Sequence, residues 1–213
     1  MNLKLFFWVT CIQVLGGPAR SQNQMDTGKI SVFERQIPKL KNGQAPAYYR
    51  NKAPIENMMG LRSLEKGFDS LQIRIWYGYA RTDTGQLFIF SRKDGKWSAE
   101  LYNFVYLMSA NKRIKGIAKK VSAGLPRQGW PRFSEKLFSF MVTTIPDQGE
   151  IDNYPDFTDG DAVIIEVATK DSYRIFSYKE PKLAQSQIKE AKNIEKVLTL
   201  IDDQFSFKRL RIF

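Results

Sequence analysis

The side chains best suited to chemistry in this sequence are glutamates and arginines set among aromatics on alternating runs. Arg74 and Trp76 share one side of the run Leu71–Tyr79, and Leu71, Ile73, Ile75 and Tyr77 share the other. Glu100 and Tyr102 alternate with Trp97, Ala99 and Leu101, Glu166 alternates with Val163, Ile165 and Val167, and Arg174 lies on one side with Phe176 and Tyr178. Successive side chains of a strand point to opposite faces. The pattern therefore predicts one sheet face carrying Arg74, Trp76, Glu100, Tyr102, Glu166 and Arg174 as candidate ligand-binding residues. Aromatic walls with a few convergent polar groups describe a binding groove. Glu100 and Glu166 would also suit a carboxylate pair for acid/base hydrolysis of a glycan. The plainer reading of the same residues is a solvated face with cross-strand ion pairs, each contributing about 0.2–1 kcal/mol.

Other chemistries are closed off by composition. The chain has no histidine, and its one cysteine is Cys11. A Ser-His-Asp triad is excluded, and so is a zinc site built on imidazole. The acidic stretch 147–161 contains Asp156, Asp159 and Asp161 around Gly160. These oxygens echo calcium-loop chemistry, but they miss the EF-hand spacing. A solvated turn is the simpler account. Ser63 with Lys66, and Ser186 with Lys189, fit a bare S-x-x-K spacing without the partner motifs of penicillin-binding chemistry. No glycine-rich phosphate loop is present, and the sequence calls for no cofactor.

The elements that must position the candidate face are legible as periodicities. Residues 71–79, 86–92 and 96–106 read as strands, with Asp94-Gly95 as a tight hairpin turn between the last two. Residues 112–121 read as a lysine-bearing edge strand. Pro131 opens a helix with Phe133, Leu137, Phe140, Met141 and Thr144 at helical spacing, and Pro146 ends it. Residues 161–168 and 173–179 form a second hairpin, followed by a helix over 182–204 with a stripe through Ala184, Ile188, Ala191, Leu198 and Ile201. The predicted fold is α+β: an antiparallel sheet of five or six strands with two helices packed on one face. Residues 22–60, with Pro38, Pro46 and Pro54, read as an irregular N-terminal arm anchored by Ile30-Val32-Phe33 and Tyr48-Tyr49. Residues 61–213 read as a single domain.

Residues 1–21 have the layout of a secretory signal: Lys4, an apolar run from Leu5 to Leu15, a Gly-Gly-Pro break and Ala19-Arg20-Ser21. The run is short of the ~20 residues that span a bilayer. The reading is an exported chain, secreted or periplasmic, cleaved before Gln22 and without a transmembrane segment once mature. Cys11 as a lipoprotein cysteine is the lesser alternative. With a formal net charge of +11, the chain favours anionic partners, an envelope component or a partner protein among them. Dispersed lysines and arginines also simply maintain solubility. Lys112, Arg113, Lys115, Lys119 and Lys120, then Arg127 and Arg132 around Trp130, form a basic set that could hold an anionic partner, and a lysine-protected edge strand is its plainer reading. No nucleic-acid-binding signature accompanies it, so nucleic acid is not an expected partner.

The runs IRIWYGY (73–79), WSAEL (97–101) and YRIFSYKEP (173–181) resemble uncharacterised exported proteins of gram-negative bacteria. The resemblance spans roughly the last two-thirds of the chain and implies export and a single domain, with no activity attached. The sequence thus points to an exported, non-enzymatic binding or interaction domain. A carboxylate-dependent hydrolase of envelope glycans is the alternative, and an assembly protein using its basic edge is a third reading.

Overall fold

Alternation in the sequence becomes a seven-stranded, mostly antiparallel open sheet with helices on both faces. A computed structural model describes residues 32–78, 84–108, 114–207 and 209. The proposed signal segment, Ile30, the turn near Thr82 and the cations Lys112 and Arg113 lie outside the described residues. The strands are β1 (Glu34–Gln36), β2 (Leu71–Tyr77), β3 (Thr84–Lys93), β4 (Lys96–Met108), β5 (Ile114–Ser122), β6 (Ala162–Thr169) and β7 (Ser172–Lys179). Their order across the sheet is β1-β7-β6-β2-β3-β4-β5, and only the β1–β7 pair is parallel. The sheet is thus wider than the predicted five or six strands. The short β1 from the N-terminal arm supplies the extra edge.

Asp94 and Gly95 both have positive φ, 49° and 75°. This is the two-residue hairpin geometry that Asp-Gly favours, and it sets the β3–β4 register. Gly116 in β5 answers a packing demand. A Cβ there would lie 2.2 Å from the Val105 carbonyl oxygen and 2.5 Å from the Met58 sulfur.

One sheet face packs against α3 (Gly129–Ser139) and α5 (Lys189–Phe205). Ile73, Ile75, Phe88, Phe90, Val163, Ile165, Val167, Phe176 and Tyr178 meet Phe133, Leu137, Ala191, Ile194, Val197, Leu198 and Ile201 there. The predicted 182–204 helix is divided. A short α4 (Pro181–Ala184) precedes α5, and the backbone is extended at Ile188 (φ −114°, ψ 116°). Helix α3 stops earlier than its spacing suggested. Met141 has a left-handed φ of 60° and is exposed, so Val142 and Ile145 enter the core in place of Met141 and Thr144.

The opposite face is not left to solvent. It is covered by α1 (Ala47–Arg50), α2 (Lys52–Met58) and the turn that follows. Ile55 and Leu64 pack on Trp76, Leu87, Ile89, Tyr102, Phe104, Ile164, Tyr173 and Ile175. This corrects the expectation of helices on one face only. Pro54 lies in the first turn of α2, where a missing N–H breaks no intrahelical bond. The prolines that make 46–60 look irregular are therefore compatible with helix. The described residues belong to one compact unit that includes this segment.

Candidate functional site

The aromatic-charged face exists in part, and it is sealed. The β2–β6 register sets Arg74 beside Glu166. Arg74, Trp76 and Glu166 are all essentially inaccessible to solvent, and Tyr102 is buried. Helix α2 contributes the two charges that complete the set. Lys52 and Glu56 are four residues apart and so share one helix face, the face that also carries Ile55 into the apolar layer. Lys52 Nζ lies 3.0 Å from Glu166 Oε1 and 3.2 Å from Glu56 Oε1. Arg74 Nη1 donates to Glu56 Oε1 at 2.5 Å. The remaining hydrogen-bonding positions are also occupied. Trp76 Nε1 donates to Glu166 Oε2 at 2.8 Å, and the Tyr173 hydroxyl donates to Glu166 Oε1 at 2.9 Å. Arg74 Nε and Nη2 donate to Gln72 Oε1 (2.9 Å) and to the Arg62 carbonyl (2.8 Å).

The electrostatics follow from that burial. Desolvation opposes the charge on Lys52, but Glu166 and Glu56 outweigh it and hold the ammonium above the usual lysine range. Burial, with Glu166 as a nearby like charge, pushes the Glu56 carboxyl up, and Lys52 and Arg74 offset part of that shift. Burial and then Glu166 push the Tyr173 hydroxyl far above the usual tyrosine range. A buried charge cluster persists only where it is paired and hydrogen-bonded. This one is, and its chemistry is to clamp α2 to the sheet.

The other predicted members lie elsewhere. Glu100 is in the same lateral row as Arg74, but Ile89 of β3 stands between them. Its carboxylate instead pairs with Lys120 at 2.5 Å and accepts from the Tyr102 hydroxyl at 3.3 Å. Glu100 and Glu166 are three strand spacings apart, about 14 Å at ~4.8 Å per spacing. Glycosidase carboxylates work at roughly 5–9.5 Å, so the structure does not bring these two together as a catalytic pair.

Arg174 is on the opposite face from Arg74. The β6–β7 register places it across from Val167, in the α3/α5 layer. Its guanidinium donates to the carbonyls of Thr143 (2.5 Å) and Ile145. Burial holds its pKa below the usual arginine value. No ion pair joins any two of Arg74, Glu100, Glu166 and Arg174 among the described residues. Nor do Asp156, Asp159 and Asp161 gather into a calcium shell, since no three acidic groups converge on a cation position among the described residues.

Sequence reasoning missed Lys52, Glu56 and Tyr173. The i,i+4 spacing of Lys52 and Glu56 around Ile55 was the available signal, and Pro54 concealed it.

Two other surfaces are features of the fold rather than of the predicted face. A cavity of about 860 Å3 runs beside α5, lined among others by Tyr77, Val163, Glu180, Lys182, Glu195 and Arg209. The Tyr77 hydroxyl beneath it is buried without a hydrogen-bond partner among the described residues. Such a group costs about 1–3 kcal/mol, so Tyr77→Phe is expected to leave folding stability unchanged or raise it by about 1 kcal/mol. A clear loss of stability in denaturant titration would show that the hydroxyl has a partner in solution.

The second surface is the β4–β5 end of the sheet. Here β5 is the terminal strand, and Val105, Leu107 and Ile117 are 47%, 60% and 79% exposed. Val105 and Ile117 are directly opposite one another. The cations beside them are Lys119, exposed and opposite Asn103, and Lys120, which Glu100 engages.

No family model and no curated protein matches this chain.

Proposed function

We propose that this chain is an exported, non-enzymatic interaction domain that engages its partner through the open β4–β5 end of the sheet. The observation that carries this reading is the coincidence of a nine-residue terminal strand with exposed Val105, Leu107 and Ile117 on one face. Unpaired strand edges template the addition of another chain, and contiguous exposed apolar groups mark contact surfaces. The aromatic-charged face offers no competing surface, because α2 and Leu64 occupy it. The export part of the reading rests on the residue pattern of 1–21.

Site-specific photocrosslinking in the producing cell tests the reading. A photoreactive residue replacing Ile117, which is 79% exposed beside the edge, is expected to give an adduct of discrete mass. The same group replacing Leu183, which is 62% exposed on α4, is expected to give none. Equal crosslinking at the two positions, or none at 117, would remove the edge from the functional account.

A further inference from the structure

We infer that the partner segment at this edge is an extended acidic strand of another protein, adding beside β5 as an eighth strand. The inference rests on the interaction reading above and names the chemistry of its partner. In an antiparallel pair the N–H and C=O groups of every second residue turn away from the neighbouring strand. The strand β5 has only β4 beside it among the described residues, so its outward groups form a row that another strand can satisfy.

The register specifies what that strand should carry. On the α3/α5 face, β5 presents Ile117, Lys119 and Val121 in succession, across from Val105, Asn103 and Leu101. An added strand would set an acidic residue beside Lys119, between apolar residues beside Ile117 and Val121. Its residues on this face would therefore alternate acidic and apolar. The other face of β5 shows Gly116, Ala118 and Lys120. Lys120 is already engaged by Glu100, so small or neutral residues suit the partner there.

Charge argues against two other occupants. Antiparallel pairing of two β5 strands about Ala118 would set Lys119 diagonal to Lys119 of the second copy, in a chain of net charge +11. Diagonal neighbours are within reach of long side chains, so this like-charge contact disfavours a second copy. An anionic membrane would satisfy the lysines, but inserting Leu107 and Ile117 would bring the free edge toward hydrocarbon. Unpaired backbone groups there cost several kcal/mol each.

The test uses the purified full chain and three synthetic probes: the twelve-residue peptide (Glu-Thr-Val-Thr)3, its lysine counterpart (Lys-Thr-Val-Thr)3, and the acidic peptide with proline at each central threonine. Hydrogen exchange resolved along β5 is the readout. The acidic peptide is expected to slow exchange of the outward β5 amides at least tenfold, and the effect should fall as salt is raised. The lysine and proline peptides should leave exchange unchanged. Lys119→Glu should weaken the acidic peptide about tenfold and improve the lysine peptide.

Equal protection by both charged peptides, or none by the acidic one, overturns the acidic assignment. So does a chain that sediments as a β5-dependent dimer, or one that binds phosphatidylglycerol vesicles but not the peptide. Crosslinking at position 117 without a response to the acidic peptide would sink this inference alone. Absence of crosslinking there sinks the edge reading itself.

Discussion

Glu166→Ala is expected to destabilise the fold by about 3–5 kcal/mol, the range for removing one member of a buried charge cluster. The substitution strands three groups at once. Lys52 loses its 3.0 Å partner, and the Trp76 indole and the Tyr173 hydroxyl lose their acceptor. None of the three is open to water. Glu166→Gln retains the volume and one acceptor oxygen and should cost less. Lys52→Met combined with Glu166→Gln should cost less than the sum of the two single changes, because each removes the charge that the other leaves unpaired. Denaturant titration of the four proteins measures the coupling. Additive costs, or a loss below about 1 kcal/mol for Glu166→Ala, would show that the cluster does not hold α2 to the sheet.

The same cluster sets a direction in pH. The folded-state pKa of Lys52 is raised, so its contribution is complete below the ordinary lysine pKa and is lost as pH rises through the raised value. The wild-type protein should therefore lose more stability in alkali than Lys52→Met does.

The second large effect is expected in α5. Leu198 is 1% exposed and lies among Ala191, Ile194, Val197 and Ile201 against the sheet. Leu198→Ala should cost about 2–5 kcal/mol, the transfer free energy of the lost atoms plus the cavity they leave. Lys196 is on the solvent side of the same helix, and Lys196→Ala should stay within about 0.5 kcal/mol. Similar small losses for both would show that α5 does not carry its stripe into the core.

The buried charge cluster recasts the predicted aromatic-charged set. Arg74, Trp76 and Glu166 were predicted to share a face, and they do. What they contact there is a helix of the same chain, not a ligand. Burying Trp76 and Arg74 under Ile55 and Leu64 removes apolar area from water and leaves their polar atoms fully partnered. The face that alternation marked as chemically rich is thereby a second core.

The sequence by itself determined what depends on neighbours along the chain. Alternation gives β2, because the side-chain period of a strand is two, and apolar runs bounded by turn residues give β3 and β6. Asp94-Gly95 gives the tight turn, because both positions need positive φ. The 3.6-residue stripe gives α5, apart from its separation from α4. The α+β class follows from the order of these elements. Arg174 was also within reach. The short connection between β6 and β7 pairs Ala168 with Tyr173 and thus Val167 with Arg174, which puts Arg174 on the apolar side.

Only the tertiary structure decided which strands are neighbours and what covers each face. That β6 lies beside β2 brings Glu166 to Arg74, and that β3 separates β2 from β4 keeps Glu100 away. The docking of residues 46–68 turned an amphipathic face into an interior, through contacts between segments far apart in sequence. Local periodicity encodes the direction in which a side chain points. It does not encode what lies in that direction, because the energy that settles it comes from burial between segments whose spacing along the chain carries no pattern.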